Sequence, residues 1–318
     1  MIPSIAPTAL RISQRLNKPE YWFQPGRLIR KLCFELGPRP ARTTTQVRLP
    51  WGMEISVNPQ EAIGRSLLIH GVYELAVSEA LWRLTDPGDL CVDVGANIGY
   101  MTSLLSRASA PQGKVLSFEP HPEVFSRLQT NVTSWCDTGR TSSLGKIVLS
   151  PHAIGAIDGE LDLVEPDGFE RNQGRASLIG AANLPAENRV SHRVQVRRLD
   201  GLLSNSESVA VLKIDVEGTE AQVLRGAAGL LGGKRIRDLV FEDERPFPSE
   251  SVTLLQNYGY KIWRLGKAIR GPVIESAESP SAGHNVPWEP INYLASRDAR
   301  RAERRMQRRG WFCLSNKK

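Results

Sequence analysis

The stretch LCVDVGANIGY, Leu90 to Tyr100, decides the fold. Leu90, Val92 and Val94 flank Cys91 and Asp93, which predicts a short buried strand. Gly95 to Gly99 then supply a tight turn, and Tyr100 to Arg107 carries helical spacing. A strand feeding a glycine turn and a helix start is the nucleotide-binding corner of a doubly wound α/β sheet. Glycine there lets the backbone close on a ligand, because no Cβ stands in the way.

The turn reads G-x-N-x-G with an aspartate two residues upstream, unlike the G-x-G-x-x-G of nicotinamide and flavin proteins. An aspartate at that strand end suits an ammonium group better than a pyrophosphate. A second predicted strand, Lys114 to Phe118, ends in Glu119, at the place where this architecture holds ribose hydroxyls. Val209 to Ile214 repeats the layout: an apolar strand, then Asp215-Val216-Glu217-Gly218, then helical spacing from Thr219 to Leu231. Further strands are expected at Lys146–Leu149 and Asp238–Phe241. Tyr260–Leu265 and Ile291–Ala295 form a last pair, and helical segments alternate with the central strands as a parallel sheet requires.

Three strings, D-V-G-A-N-I-G-Y, S-F-E-P-H-P and L-K-I-D-V-E-G-T-E-A-Q-V-L-R-G-A, together resemble the S-adenosylmethionine (SAM) dependent methyltransferases of the FkbM type. The resemblance implies a Rossmann-like class I methyltransferase sheet, mostly parallel with a terminal antiparallel hairpin. It also implies an N-terminal helical cap over the substrate, a β insertion, and SAM as cofactor. The implied reaction is O-methylation of a hydroxyl on a glycan, a polyketide or a lipid-linked small molecule. On that basis Asp93 would meet the methionine ammonium, directly or through water. The backbone of Gly95, Ala96, Asn97 and Gly99 would wrap the methionine half, and Glu119 would accept from both ribose hydroxyls. Many methyltransferases place an acid after the third strand to reach adenine; here His152 stands there, leaving adenine to the backbone of Ala153 and Ile154.

An acceptor hydroxyl benefits from a base as the methyl transfers. Asp215 is the candidate for base or acceptor anchor, with Glu217 next, although Glu217 could equally cap the following helix or pair with Lys213. His121 and His152 sit in motif loops as alternative bases. Tyr73 and Glu74, in the helical cap from 61 to 84, are candidates for lining the acceptor pocket. Asp215, Glu217, Glu242 and Asp243 offer hard oxygen ligands, but no spacing rule supports a cation site, so no metal is assigned.

The 318 residues divide into a basic N-terminal segment (1–48), a methyltransferase domain (49–296) and a basic C-terminal tail (297–318). Residues 1–50 hold nine Lys/Arg against two Asp/Glu, residues 297–318 again nine against two, and the body 23 against 30. The positive charge therefore belongs to the ends, and a body of net −7 gives no reason to expect nucleic acid. After the fourth strand, D-V-E-G also lacks the aromatic clamp with which amino-methylating enzymes grip a flipped base. A nucleic-acid methyltransferase using the arginine tail, and a SAM-binding scaffold without catalysis, are the readings from other classes.

Cys33, Cys91, Cys136 and Cys313 form no C-x-x-C pair and read as reduced thiols. The first 30 residues lack the apolar run of a secretory signal, so a cytoplasmic location is expected. At the N-terminus, Arg27 to Phe34 is expected to form a short basic helix preceded by Tyr21-Trp22-Phe23. These aromatics either pack the helix onto the body or touch an anionic membrane surface. Arginines all around residues 297–309 leave any helix there without an apolar face, so a solvated tail is expected. Trp311 and Phe312 add a lipid-facing alternative. The polar run 167–175, long for a connector, is expected to close over an acceptor.

Overall fold

A computed structural model of the chain describes residues 19–23, 25–37, 44–137, 143–165, 169, 177–179, 190–278 and 291–316. Its strands are β1 (Thr45–Arg48), β2 (Glu54–Val57), β3 (Leu90–Val94), β4 (Lys114–Phe118), β5 (Lys146–Ser150), β6 (Ala153–Ile154) and β7 (Gly159–Val164). They continue with β8 (Ser177–Ile179), β9 (Ser191–Arg197), β10 (Val209–Ile214), β11 (Ile236–Glu242), β12 (Lys261–Ala268), β13 (Gly271–Ser276) and β14 (Asn292–Ser296). The principal sheet runs β13-β12-β14-β11-β10-β3-β4-β5. The five strands from β11 to β5 are parallel, while β14, β12 and β13 pair antiparallel. This is the expected α/β class, with the hairpin extended by β13. That strand begins Gly271-Pro272, and a proline is tolerated because β13 lies at the sheet edge.

The helices are α1 (Pro19–Phe23), α2 (Gly26–Leu36), α3 (Ala62–His70), α4 (Leu75–Leu84), α5 (Tyr100–Ser109), α6 (Pro122–Asp137), α7 (Glu220–Gly226), α8 (Ala228–Gly232), α9 (Glu250–Asn257), α10 (Ala299–Met306) and α11 (Phe312–Ser315). Strand alternation sorts the core into two layers. Cys91, Val115, Val211 and Val240 pack with α4, α5, α6 and α10 on one face. Val92, Val94, Leu116, Phe118, Leu212, Ile214 and Phe241 pack with α7, α8 and α9 on the other. A second sheet, β6-β9-β7-β8, is the β insertion between β5 and β10. The run 167–175 lies outside the described residues except for Phe169.

The C-terminal segment corrects the expected solvated tail. Ala302, Met306, Trp311 and Cys313 are buried in the core shared with α4. The arginines do not repel the body because acids and carbonyls meet them. Arg301 donates to Asp238 Oδ2 (2.8 Å), Asp86 Oδ2 (2.7 Å) and Leu84 O (2.7 Å), and Arg305 to Asp86 Oδ1 (2.7 Å). In return, buried Glu79 on α4 accepts the backbone N–H of Phe312 and Cys313, each at 2.8 Å. Ala302 and Met306, four apart, form the narrow apolar stripe that these side chains straddle. Trp311 is likewise core, and no lipid-facing role remains for it.

Candidate active site

In an open α/β sheet, ligands bind outside the carboxyl ends of the strands, where strand order reverses direction. Here the order climbs from β3 through β4 to β5 on one side and from β10 to β11 on the other, so the reversal lies between β3 and β10. At that point the turn after β3 touches the tip of β10. Gly95 has φ +76°, and an added Cβ would lie 1.8 Å from Asp215 O, so only glycine fits. Gly99 closes the turn by accepting the Ser103 N–H as α5 begins (2.9 Å).

Beyond the turn, Glu119 is held in place by main chain. Its Oε2 accepts Asn97 N–H (2.9 Å) and its Oε1 accepts His121 N–H (3.0 Å). Asn97 adopts φ +50° at this point, a conformation that asparagine tolerates better than most residues. Burial pushes the Glu119 carboxyl up to about 7 against these two hydrogen bonds.

Asp93 lies near the end of β3. Side-chain alternation turns it into the α5 face of the sheet, opposite Ser117 on β4 and Lys213 on β10. It is fully buried; Thr102 Oγ1 donates to its Oδ2 (2.6 Å) and Lys213 Nζ lies 3.5 Å from its Oδ1. Lys213 Nζ also donates to Gly95 O (2.9 Å) and lies 3.3 Å from Asp215 Oδ2. Burial works against its charge, yet Asp215, Asp93 and Glu74 outweigh that and hold the ammonium above its ordinary value. Within the chain, the cation beside Asp93 is thus Lys213.

One layer further out, the acids crowd. Burial first, then the neighbouring Asp215, push Glu74 up to about 8; Glu217 adds to this. Burial, Asp215, Glu74 and Glu217 push Glu242 up to about 9. Tyr73 is raised by burial and by the same acids. The loop that delivers Tyr73 and Glu74 is fixed by α5 and α4: Tyr73 N–H donates to Tyr100 Oη (3.0 Å), and Ser78 Oγ donates to Tyr73 O (2.8 Å). The structure therefore brings Tyr73, Glu74, Asp215 and Glu217 together, with Glu242 beside them. At the start of α7, Glu220 accepts the N–H of Gly218, which precedes the helix (2.8 Å).

The profile of the "Methyltransferase FkbM domain" matches residues 93–262, more than half of the chain, and spans both corners. The chain belongs to this methyltransferase family. "Methyltransferase 1" of Beauveria bassiana is 32% identical over 151 residues, 42% of this chain and 57% of that protein, so the chain spans little more than half of that relative. The "31-O-demethyl-FK506 methyltransferase FkbM" of Streptomyces tacrolimicus is 29% identical over 248 residues, 68% of this chain and 88% of that protein. Among solved structures, a methyltransferase FkbM from Methylobacillus flagellatus overlaps 66% of this chain and 44% of its own, at 18% identity and a TM-score of 0.40.

Within this FkbM-family framework, the insertion is fastened to the Glu119 loop. Glu165 Oε1 on the insertion accepts from His121 Nε2 (3.1 Å) and His192 Nε2 (2.9 Å), and Phe169 stacks on the His121 ring at 4.7 Å. Burial holds His121 below its usual value and so favours the neutral ring. The three side chains place their ligating atoms within 4.8 Å, a donor set also suited to a divalent ion, although the two hydrogen bonds already close the trio on itself. Sequence reading missed this group because its members stand 44 and 27 positions apart. Ala153 and Ile154 form β6; their side chains are buried and β6 is paired with β9. His152 bonds Ser150 Oγ through Nδ1 (2.7 Å) and lies away from the acid crowd. Tyr100 has no role in the sequence reading, and Lys213 enters it only as a possible partner of Glu217. The signal for Lys213 was present: a lysine inside an otherwise apolar strand, level with Asp93 in the parallel register.

Proposed function

We propose that the chain is a SAM-dependent O-methyltransferase whose acceptor is a hydroxyl on a glycan, a polyketide or a lipid-linked small molecule. The observation that carries this reading is the group of acids at the β3/β10 reversal, with Glu119 held against the glycine turn beside it. SAM fits there on charge. It is a nucleoside carrying a sulfonium and an ammonium, and Glu74 and Glu242, raised by burial and by neighbouring acids, favour a cationic guest. Bound SAM would supply an electrophilic methyl group.

The chain's own residues would do the rest. Glu119, oriented by Asn97 and His121, is the acceptor for the ribose hydroxyls, and the Gly95–Gly99 backbone lies against the methionine half. Lys213 holds the Gly95 carbonyl and both flanking aspartates, so the turn and the β10 tip keep one geometry. Asp215, half-buried at that tip, takes or orients the acceptor proton, with Glu217 beside it, and the Tyr73–Glu74 loop covers the acceptor side. Holding two reactants in attack geometry is the main requirement of an in-line methyl transfer.

The test measures release of S-adenosylhomocysteine with hydroxylated glycans, polyketides and lipid-linked sugars, using the wild-type chain and Asp215→Asn. Turnover by wild type that Asp215→Asn loses supports the reading. SAM binding without turnover on any acceptor would instead make the protein a scaffold.

A further inference from the structure

The first two helices turn their apolar residues outward. On α2, Arg27, Leu28, Lys31 and Phe34 form the half-buried side. There the Arg65 guanidinium lies over the Phe34 ring (5.5 Å), and α2 runs along α3. The opposite side, at helical spacing, carries Ile29, Leu32 and Leu36, which are 65%, 47% and 84% exposed. In α1, Tyr21 is buried, its ring 5.5 Å from that of His70, while Trp22 and Phe23 are 65% and 44% exposed. Of the ten large apolar side chains exposed among the described residues, five fall between residues 22 and 36. The rest are scattered and need no explanation; this group does.

Its surroundings are basic. Arg27, Arg30 and Arg48 line a cleft of about 630 Å³ beside α2. Burial and the neighbouring Arg30 both work against the charge of Arg27, and an anionic surface would relieve that repulsion. A second copy of the chain laid two-fold on the same face would instead bring these arginines toward one another.

We infer that α1 and α2 form a docking surface for an anionic phospholipid bilayer. Ile29, Leu32, Leu36 and the two aromatics enter the headgroup–acyl boundary, while Arg30 and Arg48 meet phosphates. The surface is tied to the active site. The Arg27 guanidinium packs against Gly71, where an added Cβ would lie 2.1 Å from Arg27 Cζ, and Gly71 leads directly to Val72, Tyr73 and Glu74. Through Arg27, α2 would thus link a docked bilayer on its exposed side to the acceptor-side loop on its other side. The docking claim stands whether or not the acceptor is carried on a lipid.

Flotation of the full chain with phosphatidylcholine vesicles, with and without phosphatidylglycerol, tests it. Wild type is expected to float with anionic vesicles and not with phosphatidylcholine alone. The triple variant Ile29→Ser, Leu32→Ser, Leu36→Ser and the double variant Arg30→Glu, Arg48→Glu should each lose at least about tenfold in partitioning. Each should keep its circular dichroism spectrum and thermal unfolding. No flotation of wild type, or undiminished flotation of the triple variant, overturns the inference. So does a wild-type dimer in gel filtration that the triple variant converts to monomer without any vesicle binding.

Discussion

Two neighbouring groups of charges at the carboxyl ends of the central strands differ in how their charge is met. In the row Ser117–Asp93–Lys213, Thr102 on α5 bonds both Asp93 Oδ2 and Ser117 Oγ, and Lys213 lies 3.5 Å from Asp93 Oδ1, although burial still raises the Asp93 carboxyl. One layer outward, Lys213 reaches Asp215 (3.3 Å), while burial and the neighbouring acids raise Glu74 to about 8 and Glu242 to about 9. A closed row of this kind fixes geometry. The crowd of acids is where the proposed function places its cationic guest.

The largest expected effect breaks the closed row. Lys213→Met leaves Asp93 buried without its cation and should cost about 3–5 kcal/mol in urea denaturation. An unchanged midpoint would mean that Lys213 is not what holds the row. Next, Asp215→Asn should leave SAM affinity nearly intact while lowering turnover by roughly 10²–10⁴. An equal loss of both would place Asp215 with the scaffold.

A smaller effect sharpens the other side of the comparison. Glu74 and Glu242 have ordinary values of 4.5 in the unfolded chain and raised ones in the fold, so the folded state binds more protons between those limits. Stability without ligand must then fall as pH rises through the window from about 4.5 to 9. Thermal unfolding scans at about pH 6 and about pH 9 should show a drop of a few degrees in wild type that Glu74→Gln reduces. A melting temperature that rises toward pH 9 would contradict the crowding.

Both glycine corners were legible in the sequence because a buried strand, a turn and a helix leave local signatures, and β3, β4 and β10 fall where those signatures put them. The two basic ends were not. Each has nine basic residues against two acidic ones, yet the C-terminal end folds into the core while α2 exposes its apolar side. Composition could not separate them. Asp86, Asp238 and Glu79, which receive the C-terminal segment, lie far from it in sequence. The same holds for Glu165 and its two histidines, whereas Asp93 and Lys213 share a register that strand parity could have exposed.

In the proposed enzyme, Glu119 and the Gly95 turn grip opposite parts of one cationic nucleoside. Titration calorimetry with SAM on wild type and Glu119→Gln tests it most directly. Loss of charge-assisted hydrogen bonds to two ribose hydroxyls predicts an affinity lower by roughly a hundredfold or more in a folded variant. Wild-type affinity in Glu119→Gln would contradict it.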